Sequence, residues 1–520
     1  AIAAENATNG GGYNNLDFTE DGLKTLSVGS ALVNGTTGID ASTTGGGLVV
    51  DGTSGATLTA TGDLTQDAGA GDFSLNAGGV VNVNGPTNAV GANLVVNNGT
   101  LNLGDGANAS ATTVTGSLDL TGATGLLAAN ASSTLNVDGG FTNTDATRTN
   151  MTFDGTSLVD YLDNATAVMT TAQTKPYGQF EISKATGAIG PDATGTSNIE
   201  IATSFAMNGG GGNNLDMLNN GNGYVNMQSG TANNVTYTNN EEVVGEFRRT
   251  HAAVTGVDYV FNNAATVVNY TTAPTGGNYF AVIADPDGTT ASYDPTRDVE
   301  RDINIEYDYT AWVADITAGY QFGDIPGTWD PSYNESQIRF REGDATPADE
   351  KVSTGNTYTR VASGAGSLGS VKLPGITPDA AAVDGLADAG FLSGNDLILR
   401  AGPAIWYSVN PGRWSNPATW DEGIEPPTDA EVVIRHNVHA GFIRPIDSHA
   451  IPEATPGAMA TKITIQEPNV TFPTPTLMIG EDATYPGPFA TSTASVAGIT
   501  DPGRIIVENV PTPVPLPDYT

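Results

Sequence analysis

Several residue types are scarce in this chain of 520 residues, and each scarcity excludes a class of protein. Cysteine is absent, which excludes disulfide frameworks, thiolate chemistry and cysteine-based metal sites. Only 19 basic residues accompany 57 acidic ones, giving a formal charge of −38. This charge argues against nucleic acid and anionic membrane surfaces as partners, because phosphates require clustered cations. No run reaches the ~20 apolar residues of a membrane span, so none is predicted.

These absences favour an exported protein. A large, acidic, β-rich chain without cysteine is typical of bacterial surface proteins. The sequence begins at Ala1 with neither a methionine nor an apolar signal segment, so we expect any signal peptide to have been removed. The predicted location is extracellular or on the bacterial cell surface.

Aromatic residues are almost absent from the first part of the chain. Tyr13, Phe18 and Phe73 are the only ones before Phe141. A core in this region therefore has to consist of thin ladders of Val, Leu and Ala. Strong helical stripes are also missing, which predicts an all-β fold.

Short apolar runs recur between glycine and asparagine corners over residues 48–141. Leu58 and Leu75 are 17 residues apart, and Leu94 and Val114 are 20 apart. A loose period of this length, with two or three strand-sized runs, is typical of one coil of a parallel β-helix. Glycine and asparagine suit corners that need positive φ. A sandwich of short antiparallel strands is the alternative, since it also has regular turns.

The predicted solenoid covers residues 1–240, with an irregular insertion near residues 150–198. Apolar residues in the insertion lie at helical spacing, which predicts a short helix or a loop that leaves the coil: Leu158, Tyr161, Leu162, Ala165 and Met169. The stretch NNLD occurs at residues 14–17 and again at residues 213–216, in each case after a run of glycines. We interpret it as one corner-and-strand unit used twice.

A second kind of core is expected after residue 240. Proline rises from 3 residues in the first 240 to 26 in the last 280, and all five tryptophans lie in this part. Residues 241–400 are predicted to form a β-sandwich-like domain, with a short helix near residues 378–387 opened by a Thr-Pro pair. Residues 401–510 are predicted to form a second β-rich module, and residues 511–520 an extended, proline-rich tail. The predicted fold class is therefore all-β: an N-terminal parallel β-helix or solenoid followed by these modules.

Residues 406–440 carry the first of two familiar motifs. Residues 414–420 read WSNPATW, Pro426 and Pro427 follow, and residues 432–438 read VVIRHNV. This pattern resembles the opening of the eight-glycine, hyaluronidase-associated type of β-rich module. That module is common in secreted surface proteins of the Bacteroidetes and Chlorobi groups that use type IX secretion, although the full glycine set of the module is not found here.

A second motif lies at residues 243–250, which read VVGEFRRT, followed by YVFNN at residues 259–263. It is similar to a segment that follows β-helical stretches in the same large surface proteins. The two motifs cover about 60 of the 520 residues. The resemblance implies location and architecture, but this family has no single activity to transfer.

One cluster of acids is a candidate metal site. Asp285, Asp287, Asp294 and Asp298 supply oxygen ligands around a turn, as calcium prefers. The alternative is a solvated turn, since Asp-Pro and Asp-Gly pairs form turns in any case. Calcium is the one cofactor that the sequence suggests.

Sequence motifs for catalysis are missing. The four histidines do not form a zinc pattern, and neither a G-x-S-x-G elbow nor a phosphate-binding loop occurs. Paired carboxylates could hydrolyse glycans on a β-helix, but among 57 acids the sequence does not single out a pair. No catalytic residue is predicted, and we expect that the protein is not an enzyme.

Two further sets of residues concern glycans. In a polysaccharide-binding protein, aromatic side chains near the first motif are the stacking candidates, and core packing is their alternative role: Trp406, Tyr407, Trp414 and Trp420. Sequons of the N-x-[ST] type mark candidate glycosylation sites, foremost Asn98, Asn108, Asn130, Asn234 and Asn334.

The leading functional hypothesis is a structural subunit of an extracellular polymer, such as a filament, sheath or surface layer. A solenoid has open strand edges at its ends, and extended termini can add a strand to a neighbour, so the expected partners are copies of the same chain. A cell-surface adhesin or polysaccharide-binding protein is the alternative, with surface polysaccharide as its partner. A β-helix enzyme that degrades glycans comes third.

Overall fold

The structure, a computed structural model, describes the residues in the following ranges: 13–19, 22–39, 47–122, 124–192, 198–210, 214–218, 223–250, 254–286, 293–329, 335, 338–343, 359–376, 396–401, 405–414, 416–420, 426, 431–441, 462–465, 476–480, 499–500 and 504–508. The chain divides into two compact units, which are described separately. The first comprises Ala1–Gly288, Arg301–Asp324 and Val361–Pro378, and the second comprises Thr289–Glu300, Ile325–Arg360 and Asp379–Thr520.

The described residues form 40 strands and short 3₁₀ turns, with no α-helix among them. Strands β1–β17 are Leu16–Phe18, Lys24–Val33, Thr37–Ile39, Leu48–Ala60, Leu64–Gln66, Phe73–Asn76, Val80–Val83, Thr87–Val90, Leu94–Asn97, Thr100–Leu103, Ala111–Val114, Leu118–Thr121, Leu126–Ala129, Thr134–Val137, Phe141–Asn143, Met151–Phe153 and Leu158–Tyr161. Strands β18–β28 are Tyr177–Ile182, Ile199–Met207, Asn214–Asp216, Tyr224–Met227, Val235–Tyr237, Glu242–Arg249, Asp258–Val260, Val267–Thr275, Phe280–Asp285, Asp298–Tyr307 and Ala311–Tyr320. Strands β29–β40 are Arg339–Gly343, Thr359–Val361, Gly369–Ile376, Asp396–Arg400, Ile405–Tyr407, Gly412–Arg413, Glu431–Ile434, Asn437–Gly441, Lys462–Ile465, Thr476–Gly480, Ile499–Thr500 and Arg504–Glu508. The 3₁₀ turns are Ala232–Asn234, Phe322–Asp324 and Pro417–Thr419.

The first unit begins as a parallel β-solenoid with three strands per coil. One ladder runs through β2, β4, β6, β9, β12 and β15. A second ladder starts from the later halves of β2 and β4 and continues through β7, β10, β13 and β16. The third runs through β1, β3, β5, β8, β11, β14 and β17. The predicted all-β fold with an N-terminal parallel β-helix is therefore confirmed.

The coils are longer than the period predicted from the sequence. Val80 lies beside Thr100 and Thr37 beside Leu64, which are offsets of 100 − 80 = 20 and 64 − 37 = 27 residues, the extremes between β1 and β17. The predicted period of 17 to 20 was too short because similar runs occupy different faces. Leu58 and Leu75, for example, are 17 residues apart, but Leu58 lies in the second ladder and Leu75 in the first.

Aliphatic side chains fill the coils as stacked columns. Alternate residues of each short strand point inward, so equivalent positions of successive coils lie on top of one another. Each buried Leu or Val contributes ~1.5–3 kcal/mol. The column inside the second ladder consists of Leu58, Val81, Leu101, Leu127 and Met151, none of which is more than 1% exposed.

Corner glycines allow the coils to approach one another closely. A Cβ atom at Gly62 would lie 2.3 Å from the carbonyl oxygen of Gly35, and one at Gly85 would lie 2.2 Å from the carbonyl oxygen of Gly62. Neither contact is sterically possible, so a side chain at this corner would separate the coils. The glycines predicted from the sequence to form corners thus also set the distance between coils.

Residues 150–198 continue the solenoid, which corrects the predicted insertion. β16, β17 and β18 pair in parallel with strands of neighbouring coils. Val159 and Tyr161 are buried, whereas Leu158 and Asp160 are half-buried on the opposite face. The helical spacing was misleading because the inward positions follow the period of two that a strand requires.

From β17 onward the interior is aromatic. Tyr161, Phe180, Phe205 and Phe247 form a continuous series of ring contacts with centroid distances of 5.6 to 5.8 Å. β19 pairs with β18, β21 and β22, and β21 pairs in parallel with β23. Large rings therefore fill the space that aliphatic columns occupy in the earlier coils.

The parallel wall ends in antiparallel strands. β23 pairs antiparallel with β26, and β26 with β27. A second antiparallel sheet contains β24, β25, β28 and β31. Phe280 of β26 packs against Trp312 of β28 with ring centroids 5.4 Å apart, so the two sheets share an aromatic core. This is the predicted sandwich-like arrangement, but β23 joins it directly to the solenoid, so the fold has no break at residue 240.

A buried ion cluster lies at this junction. Arg301 is fully buried and donates to both carboxylate oxygens of Glu242, one of them at 3.0 Å, and to Asp324 at 2.8 Å. Burial raises the pKa of Asp324, and Arg301 partly offsets this effect. Three buried charges that satisfy one another fix β23, β27 and the Phe322–Asp324 turn.

The second unit contains two parallel ladders of its own. One consists of β33, β35, β37 and β39, and the other of β34, β36, β38 and β40. β29 and β32 pair antiparallel in the same unit. The predicted helix near residues 378–387 and the tail at residues 511–520 lie outside the described residues. Within the described part of the chain, no helix has the length and apolar character that crossing a membrane requires.

Candidate functional site

The candidate site is a polar surface on the outer face of the first unit, across β19, β21, β23, β26 and β27. The register places Glu200, Asn226, Arg248, Ala281 and Glu306 in one row across these five strands. A parallel row contains Tyr224, Glu246, Ile283 and Asn304. Tyr279, which precedes β26, lies over Arg248 from the other side. We call the set Glu200, Tyr224, Glu246, Arg248, Tyr279 and Glu306 the polar shelf.

Arg248 lies at the centre of the polar shelf. Its guanidinium carbon is 4.1 Å from the ring centroids of both Tyr224 and Tyr279, so the two rings cover its two faces. Its Nε donates to Glu246 at 2.7 Å, and its Nη2 lies 2.6 Å from the same carboxylate. The side chains of Arg248 and Glu246 are 21% and 17% exposed, so both remain in contact with solvent.

The acids of the polar shelf are held by hydrogen bonds and partial burial. Glu200 is buried and accepts hydrogen bonds from Asn226 at 2.7 Å and from Gln228 at 3.0 Å. Burial raises the pKa of Glu246, although Arg248 counteracts this effect. Burial and the charge of Glu200 likewise raise the pKa of Tyr224, which keeps its hydroxyl protonated at neutral pH. The surface is thus a preorganised set of carboxylates and rings around one cation.

Alternation in the second sequence motif could have revealed part of this surface. In EFRR over residues 246–249, Glu246 and Arg248 share the outer face of β23. Arg249 points inward and is buried, with its Nε 3.0 Å from the carbonyl oxygen of Val260. The motif was assigned by resemblance alone, so the partners of Arg248 on β21 and before β26 were missed.

A carboxylate pair lies on the outer face of the third ladder. Asp160 and Glu181 are register neighbours on β17 and β18, so their Cα atoms are ~4.8 Å apart. Burial, and secondly the charge of Glu181, raise the pKa of Asp160 to about 6. Glu181 accepts hydrogen bonds from Ser183 at 3.1 Å and from Asn208 at 2.6 Å. The sequence could not single out such a pair, because register decides which acids become neighbours.

The four predicted calcium ligands do not assemble as one open set. The carboxylate of Asp298 is buried against Arg400, whose Nε and Nη2 lie 2.5 and 2.7 Å from its two oxygens. Asp294 is bound by Thr296 and Arg297; burial acts to raise its pKa, but the hydrogen bonds of Thr296 outweigh this and lower it. Asp285 ends β26 in the other unit, and Asp287 lies outside the described residues. An arginine on Asp298 replaces a cation there, and calcium binding stays a prediction.

Within the described residues, no group of three or more histidines and acids is placed to hold a metal ion.

The predicted glycan-stacking aromatics are core residues. Trp406, Trp414 and Trp420 are at most 3% exposed, and Tyr407 is 7% exposed. Trp414 and Trp420 pack edge to face at 4.9 Å, and the indole N–H of Trp420 donates to the carbonyl oxygen of Trp414 at 2.6 Å. A sugar ring cannot reach these faces, so the core alternative is correct.

The candidate glycosylation sites differ in access. Asn98 and Asn108 are exposed, and Asn130 is half-buried with its amide bound to the carbonyl oxygen of Gly104 at 2.7 Å. Asn234 is buried, and its amide nitrogen donates to the carbonyl oxygen of Thr203 at 2.8 Å, so it cannot accept a glycan in the folded protein. The remaining predicted site, Asn334, lies outside the described residues.

The comparisons with protein families, with curated proteins and with solved structures found no match to this chain. They bear neither on the eight-glycine module nor on type IX secretion, so the resemblance of residues 406–440 stays a prediction.

Proposed function

We propose that this chain is a structural subunit of an extracellular polymer that assembles through the strand edges of its solenoid. The observation that supports the proposal is the edge of the first described coil. β2 is ten residues long and pairs along its length with β4. On its other side, the described residues contribute one bridge, from Tyr13 to Val33.

The geometry of β2 makes this edge suitable for strand addition. Lys24 donates its backbone N–H toward β4, to the carbonyl oxygen of Gly47 at 2.8 Å. Alternate residues of a parallel strand bond to opposite sides, so Thr25 directs its N–H away from β4. An edge with outward N–H and C=O groups is a template for another strand. The neighbouring Leu23 is 62% exposed and adds apolar surface beside it.

Charge opposes this assembly and makes it dependent on ions. Residues 1–147 contain one basic residue, Lys24, against thirteen acids, so copies of the chain repel one another at low ionic strength. Screening shortens the range of this repulsion to about 8 Å at physiological salt. Assembly should therefore strengthen with salt and further with divalent cations.

Negative-stain electron microscopy and sedimentation of the purified protein at low salt, high salt and with calcium test the proposal. We expect particles of many subunits at high salt or with calcium. Thr25→Pro removes the outward N–H without affecting pairing to β4, so it should block assembly, whereas the matched Thr25→Val should assemble. Monomers of 53.1 kDa under all conditions would refute the polymer, and equal assembly of the two variants would refute this edge.

A further inference from the structure

The polar shelf is built to accept hydrogen bonds rather than to hold a charged ligand. It contains three carboxylates, those of Glu200, Glu246 and Glu306, and one guanidinium, that of Arg248, which gives 1 − 3 = −2 when all are ionised. The whole chain carries −38. A polyanion would thus meet repulsion both at the shelf and at long range.

Arg248 has little cationic capacity left for a ligand. Both faces of its guanidinium are covered by tyrosine rings, and two of its nitrogens lie against Glu246. Its third nitrogen, Nη1, has no hydrogen-bond partner among the described residues, and the side chain is 21% exposed. One donor edge is therefore available to solvent, next to a carboxylate that accepts.

An unsatisfied acceptor lies in the same area. The Oδ1 atom of Asn304 is buried and has no hydrogen-bond partner in the described part of the protein. Asn304 occupies the row of Tyr224 and Glu246, on the strand that also carries Glu306. A buried amide oxygen without a donor costs ~1–3 kcal/mol, which a ligand hydroxyl would recover.

We propose that the polar shelf binds a neutral polysaccharide laid across the strands from β19 to β27. Four strand spacings of ~4.8 Å give the row a length of about 19 Å, enough for several sugar units. Sugar hydroxyls would donate to the carboxylates of Glu246 and Glu306 and to Asn304, and would accept from Nη1 of Arg248. The apolar faces of sugar rings would pack on Tyr224 and Tyr279, as flat apolar ligands pack on aromatic rings.

The charge arrangement selects an uncharged chain over both alternatives. Uronate or sulfate groups would approach Glu246 and Glu306 without a free cation to pair with. An amine-bearing chain would meet the guanidinium of Arg248 at the centre of the row. Binding should therefore depend weakly on salt, since contacts between neutral groups are not screened.

Titration calorimetry of the full chain with neutral cello-, manno- and xylo-oligosaccharides, with polygalacturonate and chitosan as acidic and cationic comparators, tests the proposal. We expect at least one neutral series to bind, with a Kd that changes less than twofold between low and high salt. Tyr224→Ala should weaken it by roughly tenfold, the usual cost of removing an aromatic contact. Tyr224→Phe should retain most of the affinity, and Phe322→Ala, which removes an aromatic side chain that is 55% exposed, should not change it.

Three results would overturn the proposal: no binding of any neutral series, binding of polygalacturonate or chitosan alone, or neutral binding that Tyr224→Ala leaves unchanged. If Tyr224→Ala fails to fold, Glu306→Gln provides the second test, because it keeps the shape of the shelf while weakening an acceptor. The proposal is independent of assembly, since it can be tested at low salt where we expect monomers.

Discussion

The early coils and the later part of the first unit share one β-solenoid wall but are filled in different ways. Between β4 and β16 the interior consists of aliphatic columns, and its buried polar groups are neutral side chains such as Asn88, which binds Gly85 and Ser110. Between β17 and β28 the interior contains tyrosines and phenylalanines together with buried charges. The wall is therefore indifferent to its filling, because main-chain ladders hold it, whereas the filling decides how one change affects stability.

The largest expected effect is in the charged interior. Arg301→Met leaves Glu242 and Asp324 buried without their cation, which costs ~3–5 kcal/mol of unfolding free energy. Lys372→Met is the matched control: Lys372 pairs with Asp315 at 2.8 Å but is 39% exposed, so its loss should cost at most ~1 kcal/mol. Urea denaturation followed by circular dichroism measures both. Equal costs for the two variants would show that the buried cluster does not stabilise the junction.

A smaller effect is expected in an aliphatic column. Leu101→Ala creates a cavity between Val81 and Leu127 and should cost ~3 kcal/mol. Leu126→Ala, on the adjacent coil but 45% exposed, should cost less than ~0.5 kcal/mol. Hydrogen exchange locates the damage: we expect faster exchange in the neighbouring coils than in β26–β28. Uniformly faster exchange would mean that the two regions unfold as one.

The smallest effect concerns the outer face where the two regions meet. The pKa of Asp160 is about 6 in the folded chain and ~3.9 when unfolded, so the folded state binds more protons between these values, and stability falls as pH rises through this window. Asp160→Asn removes this loss. It should raise the stability by about 1 kcal/mol at pH 7 and leave it unchanged near pH 3, below both pKa values.

Thermal melts at pH 3, 5 and 7 measure the change, and the companion Glu181→Gln should give a smaller rise, because burial remains as the larger cause. A variant that is equally stable to wild type at pH 7 would show that the pair is fully solvated.

Much of the fold was predictable because it depends on short-range patterns. Runs such as those at Leu94 and Leu118 alternate inward and outward, and glycine corners separate them. The NNLD repeat correctly marked two strands, β1 and β20. The strands of the sandwich-like part were also predicted, since residues 280–283 and 303–309 carry apolar and aromatic residues in alternation. The coil length was wrong because a periodicity cannot tell which face a run belongs to.

The sites were less predictable because they depend on which strands become neighbours. Asp298 looked like an open ligand in the sequence, yet its partner Arg400 is 102 residues away. Trp406 and Trp420 looked equally suited to binding and to packing, and burial decided for packing. Arg248 meets Tyr224 and Tyr279 only because β21 and β26 flank β23.

The sequence by itself determined the class of the fold, its acidity, the absence of thiol chemistry and the slender aliphatic interior of the first coils. These follow from composition and from alternation within single strands, which are local properties of the chain. Only the tertiary structure decided the coil length, the continuity of the solenoid through residues 150–198, the buried cluster at Arg301 and the polar shelf. Each of these depends on register between strands about 20 to 60 residues apart, and register is set by packing all coils at once.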